Sequence, residues 1–438
     1  MRIFSRRTVL GDGEDDALRI GPATVVCEGS RIASVEEGEP GEFDLDLGDK
    51  LLSPAFVDSH THVALHALRG IGFAETTGNV VEDLFYRFEE LLTAEDVAAF
   101  ARMGAYEGLL HGVGLQWDHY YEADAVVGAM GDVGMCAVVA PTLQDLAGPG
   151  AGAWEAQLDA TERIHRSDAL QEQGIFAALG PHAPDTVSGD LWGRAREASE
   201  RLDIPIHAHL AQSIDEYERI MEREGCSPTR WLERLGILDL EAGATLAHLL
   251  FASFEDLDLL HPGRHRPVYC PYSALIFGFP APVMAWESRG LPWALATDCS
   301  GNNDSMNVAK EMRFAAGQRT AGTCFSPEYR AFADRGGVVA ARGAWRRRVD
   351  RHSAGRAVAS TESLLSRVWS VSGAYHPGFR AGTLEAGALA NLVVWDTEHP
   401  AFWPQQGDPL RILAMGDATP AIHAMYTAGR LRGEPHAE

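Results

Sequence analysis

Lysine is nearly absent from this chain of 438 residues, in which Lys50 and Lys310 are the only two among 37 basic side chains. Aspartate and glutamate number 62, so the formal net charge at pH 7 is −25. A surface this negative argues against nucleic acid and against anionic membranes as partners. For the arginine-rich segment 342–356 we favour a solvated helix or loop over a patch for an anionic partner.

Paired cysteines and long apolar runs are missing as well. The six cysteines are scattered without a Cys-x-x-Cys pair, which argues against a zinc ribbon and against a disulfide framework. No stretch approaches the ~18 apolar residues of a membrane span. Arg6-Arg7 superficially matches a twin-arginine export signal, but an acidic turn follows where that signal needs an apolar region. We therefore expect a cytoplasmic protein with no membrane partner.

Histidines, in contrast, recur after apolar segments that have the character of strands. Polar ligands delivered repeatedly to strand ends are typical of a (β/α)8 barrel active site. Any close pair among 17 histidines could arise by chance, but an ordered series along one chain is far harder to obtain. The series is His60, His62, His182, His207, His209, His248 and Asp298.

The spacing of His60 and His62 has a direct physical meaning. In a strand, residues i and i+2 point to the same face, so both imidazoles can bind one ion. Imidazole and carboxylate ligands suit zinc or iron, and an open position leaves room for a water. A metal lowers the pKa of such a water to about 7, which makes it a nucleophile at neutral pH.

The chain resembles the amidohydrolase superfamily, in particular the branch of aminohydrolases and chlorohydrolases that act on N-heterocycles. That branch includes methylthioadenosine/adenosylhomocysteine deaminases, guanine deaminases and triazine hydrolases. The resemblance spans nearly the whole chain and is specific in order and spacing. The segments that carry it are 54–62 (PAFVDSHTH), 69–70, 180–184, 207–211, 247–249, 270–273, 297–304, 382–387 and 391–394.

The resemblance implies an α/β fold with two parts. A TIM-type (β/α)8 barrel would occupy residues 53–374, and a small β-sandwich domain would be built from 1–52 together with 375–438. Strand patterns that alternate with helical patterns between the ends agree with a barrel. The helical patterns cover 94–110, 215–224 and 361–369.

The resemblance also implies the roles of the site residues. His60, His62, His209 and Asp298 would bind one divalent metal, Zn(II) or Fe(II). Asp298 and His248 would be catalytic, and His182 would contact the substrate. Relatives with two metals usually bridge them with a carboxylated lysine, and neither lysine lies where that residue would be. We therefore expect a single metal, and we assign His207 a structural role.

Gln212 departs from the deaminase pattern, in which the residue three positions after the ligand histidine is normally a glutamate that protonates the ring nitrogen. An amide cannot shuttle a proton. We assign Gln212 both to the catalytic and to the substrate-binding residues. Glu216, one helical turn later, is a candidate substitute acid, although its position in the family pattern suggests a structural role.

The expected reaction is hydrolytic deamination of a small heterocycle, such as a purine, pterin, pyrimidine or triazine, by a homodimer. Two alternatives stay open. One is hydrolysis of chloride or another substituent from an electron-poor ring. The other is a metal- and ligand-binding relative with little catalysis, because Gln212 replaces the usual glutamate.

Overall fold

The computed structural model describes residues 1–14, 16–71, 79–279, 281–321, 360–404 and 407–433. In these ranges the chain is an α/β protein whose strands form three sheets. The arginine-rich segment 342–356 lies outside the described residues. No helix within the described ranges combines the length and the apolar character that crossing a membrane requires.

The strands of the described residues are numbered in chain order. They are β1 (Arg2–Leu10), β2 (Arg19–Glu28), β3 (Arg31–Glu37), β4 (Leu45–Asp46), β5 (Leu51–Pro54), β6 (Phe56–Thr61), β7 (Val113–Tyr120), β8 (Cys136–Leu143), β9 (Ile175–Ala177), β10 (Gly180–Pro181), β11 (Ile206–Leu210), β12 (Ala244–His248), β13 (His265–Tyr269), β14 (Ala294–Leu295), β15 (Leu392–Trp395), β16 (Ile422–Thr427) and β17 (Arg430–Gly433).

Helices separate most of the strands between β6 and β15. The α-helices are Arg87–Glu89, Ala94–Leu110, Ala123–Val133, Trp154–His165, Asp168–Glu172, Gly189–Leu202, Ile214–Glu224, Pro228–Arg234, Phe254–Leu257, Pro271–Ile276, Val283–Ser288, Ser300–Asn303, Val308–Ala321, Thr361–Ser366, Ser370–Gly373 and Pro409–Met415. Short 3₁₀ or π turns cover Val63–Leu68, Val81–Tyr86, Ile237–Asp239, Pro400–Phe402 and Thr419–Ala421.

One sheet combines strands from both ends of the chain. Its order is β17-β16-β15-β5-β1-β2-β3, with β4 beside β1. Strand β15 runs antiparallel to β5, with Leu392 opposite Pro54. The Trp395 indole N–H donates a hydrogen bond of 2.9 Å to Ser53 Oγ across the same pair. The two terminal segments therefore meet as expected, whereas the second layer of a sandwich and the two-domain division stay predictions.

The other two sheets are parallel and carry the site. One has the order β10-β8-β7-β6 with β9 beside β8, and the other has the order β11-β12-β13-β14. Two single parallel bridges, Leu179–Ile206 and Thr61–Asp298, connect these sheets. Strands β7 and β8 are buried along their whole length, as expected for parallel strands covered on both faces. The α/β class with parallel strands is therefore confirmed.

The helix predictions differ in outcome. Helix Ala94–Leu110 has the predicted bounds and begins with a capping box between Thr93 and Asp96. Helix Ile214–Glu224 begins one residue before the predicted start. The single helix expected over 361–369 is wrong, since the first helix ends at Ser366 and a second begins at Ser370. The turn between them lets Trp369 stack on Phe56 at 6.0 Å between ring centroids, a tertiary contact that helical periodicity does not encode.

Candidate active site

Every predicted site residue lies at or just beyond the carboxyl end of a parallel strand. His60 lies in β6 and His62 directly follows it, while His209 lies in β11 and His248 is the last residue of β12. His182 directly follows β10, and Asp298 lies three residues after β14. Because these ends meet at one edge of the parallel sheets, the side chains converge although they are distant in sequence.

The candidate ligand atoms lie close to one another. His62 Nε2 is 3.2 Å from His209 Nε2. Asp298 Oδ1 is 3.4 Å from His62 Nε2 and 3.7 Å from His60 Nε2. Ligands around a tetrahedral zinc ion with bonds of about 2.0–2.1 Å are roughly 3.3 Å apart. The separations therefore match the space that a divalent ion needs.

The three candidate ligand histidines all use Nδ1 for contacts with the protein. His62 Nδ1 lies 2.5 Å from the carbonyl oxygen of His119, and His209 Nδ1 lies 2.9 Å from that of His182. His60 Nδ1 lies 2.8 Å from His207 Nε2. A carbonyl oxygen only accepts, so the rings of His62 and His209 carry their proton on Nδ1 and present a lone pair on Nε2.

Burial keeps these imidazoles neutral. It lowers the pKa values of His60, His62 and His209 below the ordinary value, and the neighbouring rings lower those of His60 and His209 further. His60 Nε2 is buried and has no hydrogen-bond partner in the described part of the chain. A neutral imidazole with an unpartnered Nε2 is the form that binds a metal. The donor set therefore fits a divalent metal.

Asp298 is held from the side opposite the histidines. Its Oδ2 accepts hydrogen bonds of 2.8 Å from Ser273 Oγ and from Asn302 Nδ2. The backbone of Asp298 has a φ of +66°, a left-handed conformation that costs energy outside glycine. The preceding residue, Thr297, donates from its backbone N–H and its hydroxyl to Asp58, and these bonds stabilise the strained turn.

His248 lies beside the candidate ligands. Its ring is nearly parallel to that of His209, at 5.5 Å between centroids and 9° between planes. The backbone of His248 also has a positive φ, +77°, where β12 ends. Burial lowers the pKa of His248 to about 4. The ring is therefore neutral at pH 7 in the absence of a bound ion.

Two adjoining cavities open next to these residues. A cavity of about 480 Å³ is lined by His62, His209, His248 and Asp298. A second one of about 1180 Å³ extends from it. Three polar side chains line both cavities, and they are Tyr86, His182 and Gln212. The larger cavity has space for a small heterocycle.

Gln212 and Glu216 have different environments. The side-chain amide of Gln212 forms no hydrogen bond with any residue that the structure describes, so it is available to a ligand. Both carboxylate oxygens of Glu216 accept backbone N–H groups, from Ala211 at 2.8 Å and from Gln212 at 2.7 Å. Burial raises the pKa of Glu216 to about 8. These contacts indicate that Glu216 holds the loop that carries Gln212.

His182 and His207 occupy defined positions around the centre. His182 Nδ1 lies 2.9 Å from Thr186 Oγ1, and the ring lines both cavities. His207 points its Nε2 at His60. Burial lowers the pKa of each ring to about 3. His182 is thus placed for contact with a substrate, and His207 lies behind the candidate ligands.

Sequence reasoning missed several polar residues of the smaller cavity. They are Tyr86, Glu89, His119 and Asn302. His119 Nδ1 lies 2.8 Å from Thr142 Oγ1, and burial raises the pKa of Glu89 to about 8. The signal for His119 was present, because it lies near the carboxyl end of the buried strand β7, as other histidines of the site lie near the ends of theirs. Glu89 and Asn302 lie on short helices and follow no such pattern.

A family model described as "Amidohydrolase family" matches residues 51–328. The chain belongs to the amidohydrolase family. This amidohydrolase is similar to the 5-methylthioadenosine/S-adenosylhomocysteine deaminase of Nitratidesulfovibrio vulgaris (strain DSM 19637 / Miyazaki F), with 30% identity over 311 residues. That alignment covers 71% of this chain and 69% of the relative. The predicted superfamily is confirmed.

Solved structures agree with the fold of this amidohydrolase. An adenosine deaminase from Xanthomonas campestris with bound zinc has a TM-score of 0.79 at 21% identity, covering 100% of this chain and 94% of that one. A zinc complex of atrazine chlorohydrolase from Arthrobacter aurescens TC1 has a TM-score of 0.78 at 18% identity, covering 100% and 97%. Both members of the predicted branch, deaminases and chlorohydrolases, are thus among the neighbours.

Proposed function

We propose that this amidohydrolase is a hydrolytic deaminase with one catalytic divalent metal and a small N-heterocyclic substrate. The observation that carries the proposal is the convergence of His60, His62, His209 and Asp298 beside a cavity that Gln212 also lines. The similarity to the deaminase of Nitratidesulfovibrio vulgaris supports amino removal as the reaction.

His60, His62, His209 and Asp298 would hold the metal, through three Nε2 atoms and Oδ1. When bound, a divalent ion at this centre lowers the pKa of a coordinated water to about 7. Nitrogen and oxygen ligands suit both zinc and iron. The proposed single site agrees with the positions of Lys50, which precedes β5, and of Lys310, which lies in helix Val308–Ala321, since neither is on a strand of the parallel sheets.

Asp298 would move the proton that the reaction requires. It accepts a proton from the attacking water as the new carbon–oxygen bond forms. It then delivers this proton to the amino nitrogen, which leaves as ammonia when the carbon–nitrogen bond breaks. The second proton of the water ends on a ring nitrogen of the oxo product. Gln212 cannot carry that proton, so the proposal favours rings that are electron-poor or already have a labile proton.

Other side chains would orient the substrate and stabilise charge. His248 lies next to His209 and would stabilise the charge that develops at the attacked carbon. His182 and the Gln212 amide line both cavities and would hydrogen-bond the ring edges. An amide offers one acceptor and two donors, a pattern that is complementary to a lactam or an amidine edge.

We extend the proposal to the architecture that supports the site. The two parallel sheets, with their bridges at Leu179–Ile206 and Thr61–Asp298, would complete a (β/α)8 barrel over residues 53–374. The segments 1–52 and 375–438 would form the separate β-sandwich unit. We also propose that the molecule acts as a homodimer.

The test combines metal analysis with a substrate screen. Purified wild type and Asp298→Asn are loaded with zinc or with iron, and purines, pterins, pyrimidines and triazines are assayed for release of ammonia or chloride. We expect about one metal ion per chain, ammonia release by the wild type, and loss of this activity in Asp298→Asn. A metal content near zero or two, or activity that survives Asp298→Asn, would contradict the proposal.

A further inference from the structure

The side-chain amide of Asn302 has a nitrogen that donates hydrogen bonds and an oxygen that has no partner among the residues described. Its Nδ2 donates to Asp298 Oδ2 at 2.8 Å and to Ser273 Oγ at 3.2 Å. Its Oδ1 is buried and has no hydrogen-bond partner among the residues described. The residue is 4% exposed and lines the smaller cavity, which it shares with His62, His248 and Asp298.

The orientation of the amide follows from its partners. An ionised carboxylate only accepts hydrogen bonds, so the amide nitrogen of Asn302 has to face Asp298. The Ser273 hydroxyl uses its proton for Asp298 Oδ2 and can only accept from Asn302. A flip of the amide would place Oδ1 against two acceptors. The amide is therefore fixed with its carbonyl oxygen turned away from the carboxylate.

A buried carbonyl oxygen without a partner is unfavourable, and a ligand that brings a donor relieves the cost. Asn302 is bonded to the carboxylate that, in the proposed function, delivers a proton to the departing group. The departing group therefore comes close to this amide. An amino group has N–H donors for Oδ1, whereas chloride and alkoxy substituents have none.

We propose that Asn302 selects the leaving group: its Oδ1 accepts a hydrogen bond from the amino group of the substrate, so that amino-substituted rings are hydrolysed in preference to chloro- or alkoxy-substituted ones. This inference rests on the proposed function. It explains why deamination is favoured over dechlorination of the same ring. Sites built to hydrogen-bond a substrate N–H discriminate strongly against analogues that lack it, because the buried group is then unpaired.

The test compares matched pairs of compounds that differ only at the leaving group. Zinc-loaded wild type, Asn302→Leu and Ser273→Ala are assayed with 6-amino- and 6-chloropurine ribosides and with amino- and chloro-1,3,5-triazines. Leu is similar to Asn in size but has no acceptor. We expect Asn302→Leu to lower the amino-to-chloro ratio of kcat/KM by about tenfold or more. Ser273→Ala removes the hydroxyl that donates to Asp298 and accepts from Asn302 Nδ2. It leaves Asn302 Oδ1 in place and should lower both rates by a similar factor.

Equal losses for amino and chloro substrates in Asn302→Leu would overturn the inference. Metal content and the thermal midpoint report whether that variant folds, and Asn302→Ala replaces it if it does not. If the wild type hydrolyses no compound, the proposed function is wrong, and calorimetric binding of the same pairs then decides the inference by itself. Binding of the amino compound no tighter than that of its chloro analogue in the wild type would refute the role of Asn302.

Discussion

At the scale of single residues, three rings of the centre share one arrangement, with Nδ1 held by the protein and Nε2 directed at a common point. His60 differs from His62 and His209 in one respect, because its Nδ1 faces a side chain, His207, instead of a backbone carbonyl. Groups that orient a ligand imidazole typically account for 10–100-fold in metal affinity. His207 should therefore matter for metal binding without touching the ion.

We expect His207→Ala to weaken zinc affinity about 10–100-fold, because the buried Nδ1 of His60 loses its partner. Competition with a chromophoric chelator measures the affinity. His209→Ala is the matched comparison, since it removes a candidate ligand and should abolish both metal binding and activity. Wild-type zinc affinity in His207→Ala would show that the ring contact is incidental.

Gln212 is the residue whose chemistry departs most from what a deaminase usually has. Its amide lines both cavities, and its backbone is fixed by Glu216. We expect Gln212→Glu to lower turnover of the preferred heterocycle by about tenfold while metal content stays unchanged, since a carboxylate cannot donate the hydrogen bonds of an amide. Steady-state kinetics of the best substrate from the screen provide the measurement. An increase in deamination would instead show that the reaction lacks the proton donor that a glutamate at position 212 supplies.

Much of the candidate site is predictable from sequence, because the histidines at the strand ends follow apolar segments that can be recognised in the sequence. The side chains of Asp298 and Ser273 are brought together by folding, and Asn302 joins them from a helix of four residues. No local pattern encodes that triangle of contacts. The same holds for Glu89, which lines the cavity from helix Arg87–Glu89.

At the scale of elements, Glu311 connects three helices behind the site. It lies in helix Val308–Ala321 and is fully buried. Its Oε2 accepts the backbone N–H of Tyr272 at 3.0 Å, in the first turn of helix Pro271–Ile276. Its Oε1 accepts from Asn303 Nδ2 at 2.8 Å, at the end of helix Ser300–Asn303. The carboxyl group thereby holds the two short helices that carry Ser273 and Asn302.

The pKa of Glu311 makes this connection sensitive to pH. Burial raises it to about 8, above the ~4.3 of an unfolded glutamate. The folded state therefore binds this proton more tightly, and the resulting stabilisation is complete below about pH 4 and is lost as the pH rises through 8. We expect the thermal midpoint of Glu311→Gln, relative to wild type, to increase from pH 5 to about pH 8 and to level off above that pH.

Differential scanning fluorimetry across this pH range checks the Glu311 prediction. Glu362→Gln is a suitable control, because Glu362 lies in the first turn of an exposed helix end and should change the midpoint little at any pH. A difference between Glu311→Gln and wild type that does not vary with pH would mean that Glu311 keeps its charge in the folded protein.

Elements with strong local signals are predictable, and those set by tertiary contacts are not. Helix Ala94–Leu110 has its own capping box and is rich in alanine, although it contains Gly104 and Gly108. No proline or glycine lies between Ser366 and Ser370 to indicate that the helix is interrupted there. At this break Trp369 packs on Phe56 of β6, a contact between residues that are far apart in sequence.

At the scale of the whole molecule, the candidate centre connects strands from both parallel sheets. At the bridge Thr61–Asp298, the His62 N–H donates to the Asp298 carbonyl at 2.9 Å, and the Asp298 N–H donates to the His60 carbonyl at 3.1 Å. A ligand that binds only the folded state stabilises it by about 2.7 kcal/mol when present at 100 times its dissociation constant. A metal at this position should therefore stabilise the fold as well as support catalysis.

We expect a chelator to lower the thermal midpoint of the zinc-loaded wild type by a few degrees. The His209→Ala variant, which should hold no metal, serves as the control and should melt at the same temperature with and without chelator. Calorimetry with both proteins at one concentration makes the comparison. An unchanged wild-type midpoint after verified removal of the metal would show that metal binding does not stabilise the fold.

The sheet that unites the two ends of the chain also has a consequence for biosynthesis. Ser53 and Trp395 are hydrogen-bonded across 342 positions, so at about 5–20 residues per second the ribosome makes β15 roughly 20–70 s after β5. During that interval β5 has an edge ready to pair with foreign strands. Strand β5 leads directly into β6 and its histidines. The edge of β5 therefore stays unpaired until β15 has been made. We expect protein truncated before residue 392 to aggregate more than the full sequence, as measured by light scattering.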